Sequence, residues 1–186
     1  HPDGFGARRP IDVPFVIAAA GPKGVAAAKE MAEGVFTTSV HPIHDEEITW
    51  NAVLTFGTVL NDGEDPGSAR AIDAAGHGAA VALHAAVEFD DFDALPRGAE
   101  WASAYQDLPV AERHIALHDR HLVGVNDRDK PFVTGEVMTA FGLALDKGAW
   151  REKLAGIEEH GGTEVVYQPA GGDIARELES FAALLV

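Results

Sequence analysis

The stretch VPFVIAAAGPKGVAAAKEMAEGVFTTS, residues 13–39, places the tightest limit on what this chain can become. Residues 13–19 are a short apolar run entered through Pro14 and left at Gly21-Pro22, the pattern of a strand buried on both faces of a parallel sheet. Val25, Ala28 and Met31 or Ala32 then recur at helical spacing until Gly34 stops the pattern, and residues 35–39 read as a second strand. Strand, glycine-bearing turn, helix and strand make a βαβ unit, because parallel neighbours need a crossover and that crossover is right-handed by default.

The remainder repeats this alternation. Residues 48–60 are β-branched and aromatic and run into NDGEDPGS, which predicts a third strand over 52–60 followed by a turn. An Ala-rich helix is expected over 68–89, with Gly76-His77-Gly78 as a place where it can break. The acidic stretch 88–98 reads as a surface loop. Helices follow over 99–106 and 110–122, the latter opened by Pro109, and 123–135 looks irregular. An amphipathic helix over 149–160, closed by Gly161-Gly162, precedes a strand over 163–168. Asp173 is the natural N-cap of a last helix over 174–185. Four strands alternating with helices argue for an α/β fold with parallel strands, whose ligands sit at the strands' carboxyl ends.

Charge and composition exclude several functions. Fourteen Lys plus Arg face 30 Asp plus Glu, a formal net charge of −16 with no basic run, which argues against nucleic acid and against an anionic membrane surface. There is no Cys, so disulfides, thiolate metal sites, iron–sulfur clusters and a Cys nucleophile are all excluded. No stretch reaches the ~20 apolar residues of a membrane span, and HPDGFGARRP has no apolar signal core. The expectation is a soluble, cytoplasmic single domain over residues 1–186.

PFVIAAAGPKGVAAAKEMAEGVFTT resembles the fifth strand, loop, helix and sixth strand of the luciferase-like flavin- or deazaflavin-dependent oxidoreductases, and GGTEVVYQPAGGDIARELESFA resembles their last strand and helix. The two segments occur in the family's order with a long insertion between them. The wording Ala20-Gly21-Pro22-Lys23 is most similar to the methylenetetrahydromethanopterin reductase-like branch. The resemblance implies a (β/α)8 TIM-barrel type fold, of which this chain covers about strands 5 to 8 with inserted helices. It also implies hydride transfer between a deazaflavin coenzyme or FMN and a small organic substrate. Four strands that precede these in the family have no counterpart here. A half barrel leaves two strand edges unpaired, so the chain is expected to be a fragment, a homodimer, or a module completed by a partner.

Small residues at Ala19, Ala20, Gly21, Pro22, Lys23 and Gly24 let a ligand approach the backbone at a helix start, where N–H groups and Lys23 suit a phosphate. By pattern alone a tight turn serving only geometry is favoured; the resemblance implies that this loop holds the phosphate-bearing tail of the coenzyme. Thr38 and Ser39, ending the second strand, are candidate substrate-binding residues. Thr38 matches a substrate-touching Thr of the family's sugar-phosphate branch, where His41 stands in place of a Lys. His41 is the candidate for proton transfer, and His44 lies just beyond; exposed loop histidines are the equal alternative. After the last strand, Asp173 would repel an anion, so helix capping is its expected role. His114, His118 and His121 fall at i, i+4 and i+7, which could gather imidazoles on one helix face. Without an HExxH signature, and with Arg113 and Arg120 beside them, a solvated or inter-helix face is the favoured reading and no metal ligand is assigned; a His-rich metal-binding protein, and a non-catalytic half-barrel module that dimerises or pairs with a partner subunit, are the alternatives to the oxidoreductase. His77 and His84 are sparser. The acidic clusters 62–65 and 90–93 lack calcium-loop spacing.

Overall fold

The computed structural model describes residues 4, 6, 13–38, 43, 45–89, 92 and 95–185, except for the side chains of 87–89. It is an α/β protein with a parallel sheet. Its contacts group into two compact units. One comprises the described residues up to Thr55 together with Gly156–Val166; the other is Phe56–Ala155 with Tyr167–Val186.

The first unit is built on β1 (Val16–Ala18), α1 (Pro22–Met31), β2 (Gly34–Thr38) and β3 (Asn51–Phe56), joined in the sheet by β6 (Glu164–Gln168). The sheet order is β1-β2-β3-β6, so the strands lie side by side as they come along the chain, with β1 and β6 at the edges. β1 pairs with β2 in parallel, Ile17 opposite Val35, and β2 with β3, Phe36 opposite Ala52. Alternation of side chains sends Ile17 and Val35 to the face that α1 covers, where they pack with Ala19, Ala28, Val25, Ile43 and Ile48. The opposite face of β1 is bare: Val16 keeps 38% of its surface and Ala18 is exposed. The expectation of a first strand buried on both faces is therefore corrected. β1 is an edge strand with one covered face.

The second unit contains β4 (Thr58–Val59), α2 (Ala69–Phe89), α3 (Gly98–Ser103), α4 (Val110–Leu117), α5 (Gly135–Ala140), β5 (Ala144–Leu145), α6 (Lys147–Glu159) as far as Ala155, and α7 (Ile174–Ala182). The strand expected over 52–60 is broken at Gly57, whose φ of 139° lies where side chains are strained, and the residues after it pair with β5 in a separate two-stranded parallel sheet. α2 runs unbroken through Gly76-His77-Gly78. Its Ala71, Ala75, Ala79, Leu83 and Ala86 form one buried stripe, and their small size lets Trp101, Val133, Met138 and Leu143 pack close. The helix expected over 110–122 stops at Leu117, because Arg120 (φ 61°) and Leu122 (φ 63°) take left-handed backbone. α5 and β5, short and flanked by polar turns, carry too few periodic residues to be read from sequence.

Glu177, on α7, is 2% exposed and accepts Thr58 Oγ1–H at 2.6 Å, Arg70 Nη1–H at 2.9 Å and Arg176 Nη1–H at 2.8 Å. Arg70 also grips Glu64 through two nitrogens, at 2.6 and 2.7 Å, and that guanidinium holds the Glu64 carboxyl down to about 2. A buried carboxylate with two guanidiniums and a hydroxyl ties α7 to β4 and α2 without an unpaired charge. Among the described residues, no helix is long and apolar enough to cross a membrane.

Candidate functional site

The loop after β1 leaves an open turn. Gly21, in extended backbone (φ −159°, ψ 175°), precedes Pro22 at the first helical position, no side chain caps the helix among the described residues, and the first turn has no acidic residue. Val25 N–H bonds to Gly21 O at 3.0 Å and Pro22 has no N–H, so the first-turn amides without an acceptor among the described residues are those of Lys23 and Gly24, and the dipole favours an anion there. A Cβ on Gly21 would meet nothing within 4 Å, whereas one on Gly24 would lie 3.2 Å from Ala19 Cβ. Smallness at Gly24 serves the packing of α1 on β1; smallness at Gly21 leaves space. Ala19 is buried and its N–H donates to Phe36 O at 3.1 Å, while Ala20, Pro22 and Lys23 are exposed.

The structure brings Thr38 to the carboxyl end of β2, half-buried and opposite Leu54 of β3. Thr37 faces the other way, buried, and its hydroxyl donates to Asn51 Oδ1 at 3.0 Å, so it is a structural residue. Ser39, His41 and His44 lie outside the described residues. In the loop after β6, Gly172 N–H donates to Asp73 Oδ2 at 2.7 Å and Asp173 Oδ1 accepts Arg176 N–H at 3.0 Å. Two carboxylates already occupy that loop's donors, in keeping with a capping role for Asp173 and against an anion site there.

Sequence reasoning gave no role to two bases, the half-buried Lys153 and the buried His77. Lys153 Nζ donates to Gly142 O at 3.0 Å and Phe56 O at 3.3 Å and sits 4.5 Å over the Trp150 ring; burial pulls its pKa down to about 8. His77 is 2% exposed, edge-on to Phe56 at 5.6 Å, and neither ring nitrogen has a hydrogen-bond partner among the described residues; burial lowers its pKa. A long amphipathic side chain at helix spacing and a histidine amid alanines carry no distinctive spacing to find them by.

The histidines are regrouped. His114, His118 and His121 do not share a helix face, since α4 ends at Leu117. Instead His118 and His121 meet His84 of α2, and one ring nitrogen of each lies within 4.8 Å of the others. His121 Nδ1 is 3.4 Å from His84 Nδ1 and 3.3 Å from His118 Nδ1. The other nitrogen of His84, Nε2, lies 2.8 Å from Asp129 Oδ2. Asp129 has no exposed surface and also receives Asn126 Nδ2–H at 2.8 Å, Trp101 Nε1–H at 2.7 Å and Tyr105 O–H at 2.7 Å. Burial, and after it the Asp129 carboxylate, raises the Tyr105 pKa and keeps the phenol a donor. Compared with known proteins, the chain matches no family model, no curated protein and no solved structure.

Proposed function

We propose that this chain is part of a (β/α)8-type flavoprotein of the luciferase-like kind, an oxidoreductase that uses a deazaflavin coenzyme or FMN to move a hydride to or from a small organic substrate. The observation that carries the reading is the parallel sheet in chain order, β1-β2-β3-β6, with an uncapped, acid-free helix start behind the first strand. A barrel segment needs neighbours in chain order, and a phosphate-bearing tail needs free amide groups and room. Gly21 supplies the room and Lys23 a positive charge nearby. When bound, the coenzyme would supply the hydride chemistry. The residues at 19–24 would hold its tail, Thr38 and Ser39 would meet substrate at the mouth, and His41 would move a proton there. The open edge of β1, with Val16 and the preceding Phe15 exposed, favours completion of the sheet by a second copy or a partner.

The test is a titration of the full chain with FMN, with deazaflavin coenzyme and with riboflavin, read by coenzyme fluorescence. The reading expects FMN or the deazaflavin coenzyme to bind, riboflavin to bind more weakly, and Lys23→Glu to weaken the phosphate-bearing coenzyme about tenfold or more, of the order of one charge-assisted contact. Unchanged fluorescence with both coenzymes, or equal affinity in Lys23→Glu, overturns it. Scattering mass in solution separates a homodimer from a chain that waits for a different partner.

A further inference from the structure

His84, His118 and His121 come from two distant parts of the chain, and the backbone that brings them together is not relaxed. His118 caps α4, Arg120 takes left-handed backbone at φ 61°, and Leu122 does so again at φ 63°. Two non-glycine residues in that region within three positions are each held in strained backbone. What the turn achieves is to fold His121 back beneath His118 and against His84, with ring centroids 4.9 Å and 5.6 Å apart.

Asp129 determines which atom of His84 enters this cluster. A carboxylate has about four lone-pair sites, and four donors, from His84, Asn126, Trp101 and Tyr105, meet its two oxygens. The Nε2 of His84 is therefore the protonated nitrogen of the neutral ring, and Nδ1 presents its lone pair toward His121. A carboxylate behind the far nitrogen of an imidazole is the usual outer partner of a metal-ligating histidine, since it orients the ring and raises its basicity.

The spacing has a quantitative meaning. Two nitrogens bound to one tetrahedral zinc at about 2.0–2.1 Å stand about 3.3–3.4 Å apart. The two Nδ1 separations at His121 are 3.4 and 3.3 Å, and the ligand atoms of all three histidines lie within 4.8 Å of one another, so His84 and His118 need only draw together about the ion. His84 is buried, His118 half-buried and His121 exposed, so the cluster opens toward solvent on one side. We propose that His84, His118 and His121 are the three protein ligands of one divalent transition-metal ion, zinc by preference, with Asp129 as the positioning residue behind His84 and a fourth coordination position open to water or a small anion. Three imidazoles select borderline cations such as zinc, cobalt, nickel or copper, while magnesium and calcium require oxygen donors. The site is independent of the coenzyme reading, being wholly within the second unit.

The experiment strips the full chain with a chelator and titrates Zn2+ against a chromophoric chelator, with Co2+ absorption as a reporter of geometry. Wild type is expected to bind one Zn2+ per chain and to give the strong visible bands of tetrahedral cobalt. His121→Ala, at an exposed position, is expected to weaken binding about 100-fold or more and abolish those bands, with its circular dichroism unchanged. His160→Ala, which removes another exposed histidine outside the cluster, is expected to keep both. Equal zinc affinity in wild type and His121→Ala, or loss of affinity equally in His160→Ala, overturns the proposal and leaves the cluster as imidazoles hydrogen-bonded to one another.

Discussion

Asp129 Oδ1 accepts the indole N–H of Trp101 at 2.7 Å, and neither residue has any exposed surface. Indole nitrogen can only donate, so this contact dictates what a substitution at 129 can do. In Asp129→Asn the amide oxygen must stay toward Trp101, and the new NH2 group then faces His84 Nε2. His84 can accept that hydrogen only by moving its own proton to Nδ1, into the imidazole cluster. Asp129→Asn is expected to lose about 2–3 kcal/mol in urea unfolding, the size of a charge-assisted hydrogen bond. On the remaining folded protein it is expected to lower zinc affinity about 10- to 100-fold. A purely structural Asp129 would give the first effect without the second.

Gly57 and Gly63 both have positive φ, 139° and 73°, but differ in what surrounds them. A Cβ at Gly57 would lie 2.6 Å from Trp150 Cζ2 and 2.9 Å from Leu143 O, whereas one at Gly63 would meet nothing within 4 Å. Trp150 is fully buried and donates to Thr58 O at 2.9 Å, so it has little room to yield. Gly57→Ala is expected to cost about 3 kcal/mol or more and Gly63→Ala about 1 kcal/mol, compared by thermal unfolding. Equal losses would mean that Trp150 can move.

His77 buries two ring nitrogens that find no partner among the described residues. Replacing such a group by an apolar one of similar size removes a desolvation penalty of about 1–3 kcal/mol, so His77→Leu is expected to stabilise the protein. The folded-state pKa is lowered, so below the ordinary imidazole value the unfolded chain binds more protons. Wild-type stability should therefore fall as pH drops through about 6.5, and denaturant curves across that range should show a shallower fall in His77→Leu.

Lys153 is also depressed by burial, but at higher pH. Its pKa falls from 10.5 to about 8 on folding, so between those values the unfolded chain holds the extra proton and stability rises with pH. Lys153→Met removes this dependence. Relative to wild type, the variant should be favoured most at pH 7, and by about 3 kcal/mol less at pH 10, because each tenfold change in proton affinity is worth about 1.4 kcal/mol. A constant difference between wild type and variant across that range would show that the ammonium is fully solvated.

The βαβ unit at 13–39 was legible because each of its signals is local. Gly21-Pro22 ends one element and opens the next, and α1 and β2 appear within a residue or two of where the spacing predicts them. The burial of β1 was not legible. An apolar run looks the same whether one neighbour or two will cover it, and only the sheet order reveals that β1 is an edge. The run over 52–60 hid a break for a related reason: Gly57 is one residue, and its φ reflects where β5 and Trp150 wait, not its neighbours in sequence.

The histidine cluster shows the same division. Spacing pointed to 114, 118 and 121 on a helix, but left-handed backbone at Arg120 and Leu122 ends that possibility and hands the place of His114 to His84. Asp129, in a stretch that reads as irregular, becomes the buried centre of four donors. From sequence alone came the α/β class, the order of its main strands and helices, and the capping of α7 by Asp173, because these depend on residues a few positions apart. Tertiary structure alone decided which imidazoles meet, which strand face stays bare and which lysine lies against an indole ring. Those outcomes follow from how distant segments close on one another, and short-range periodicity does not carry that information.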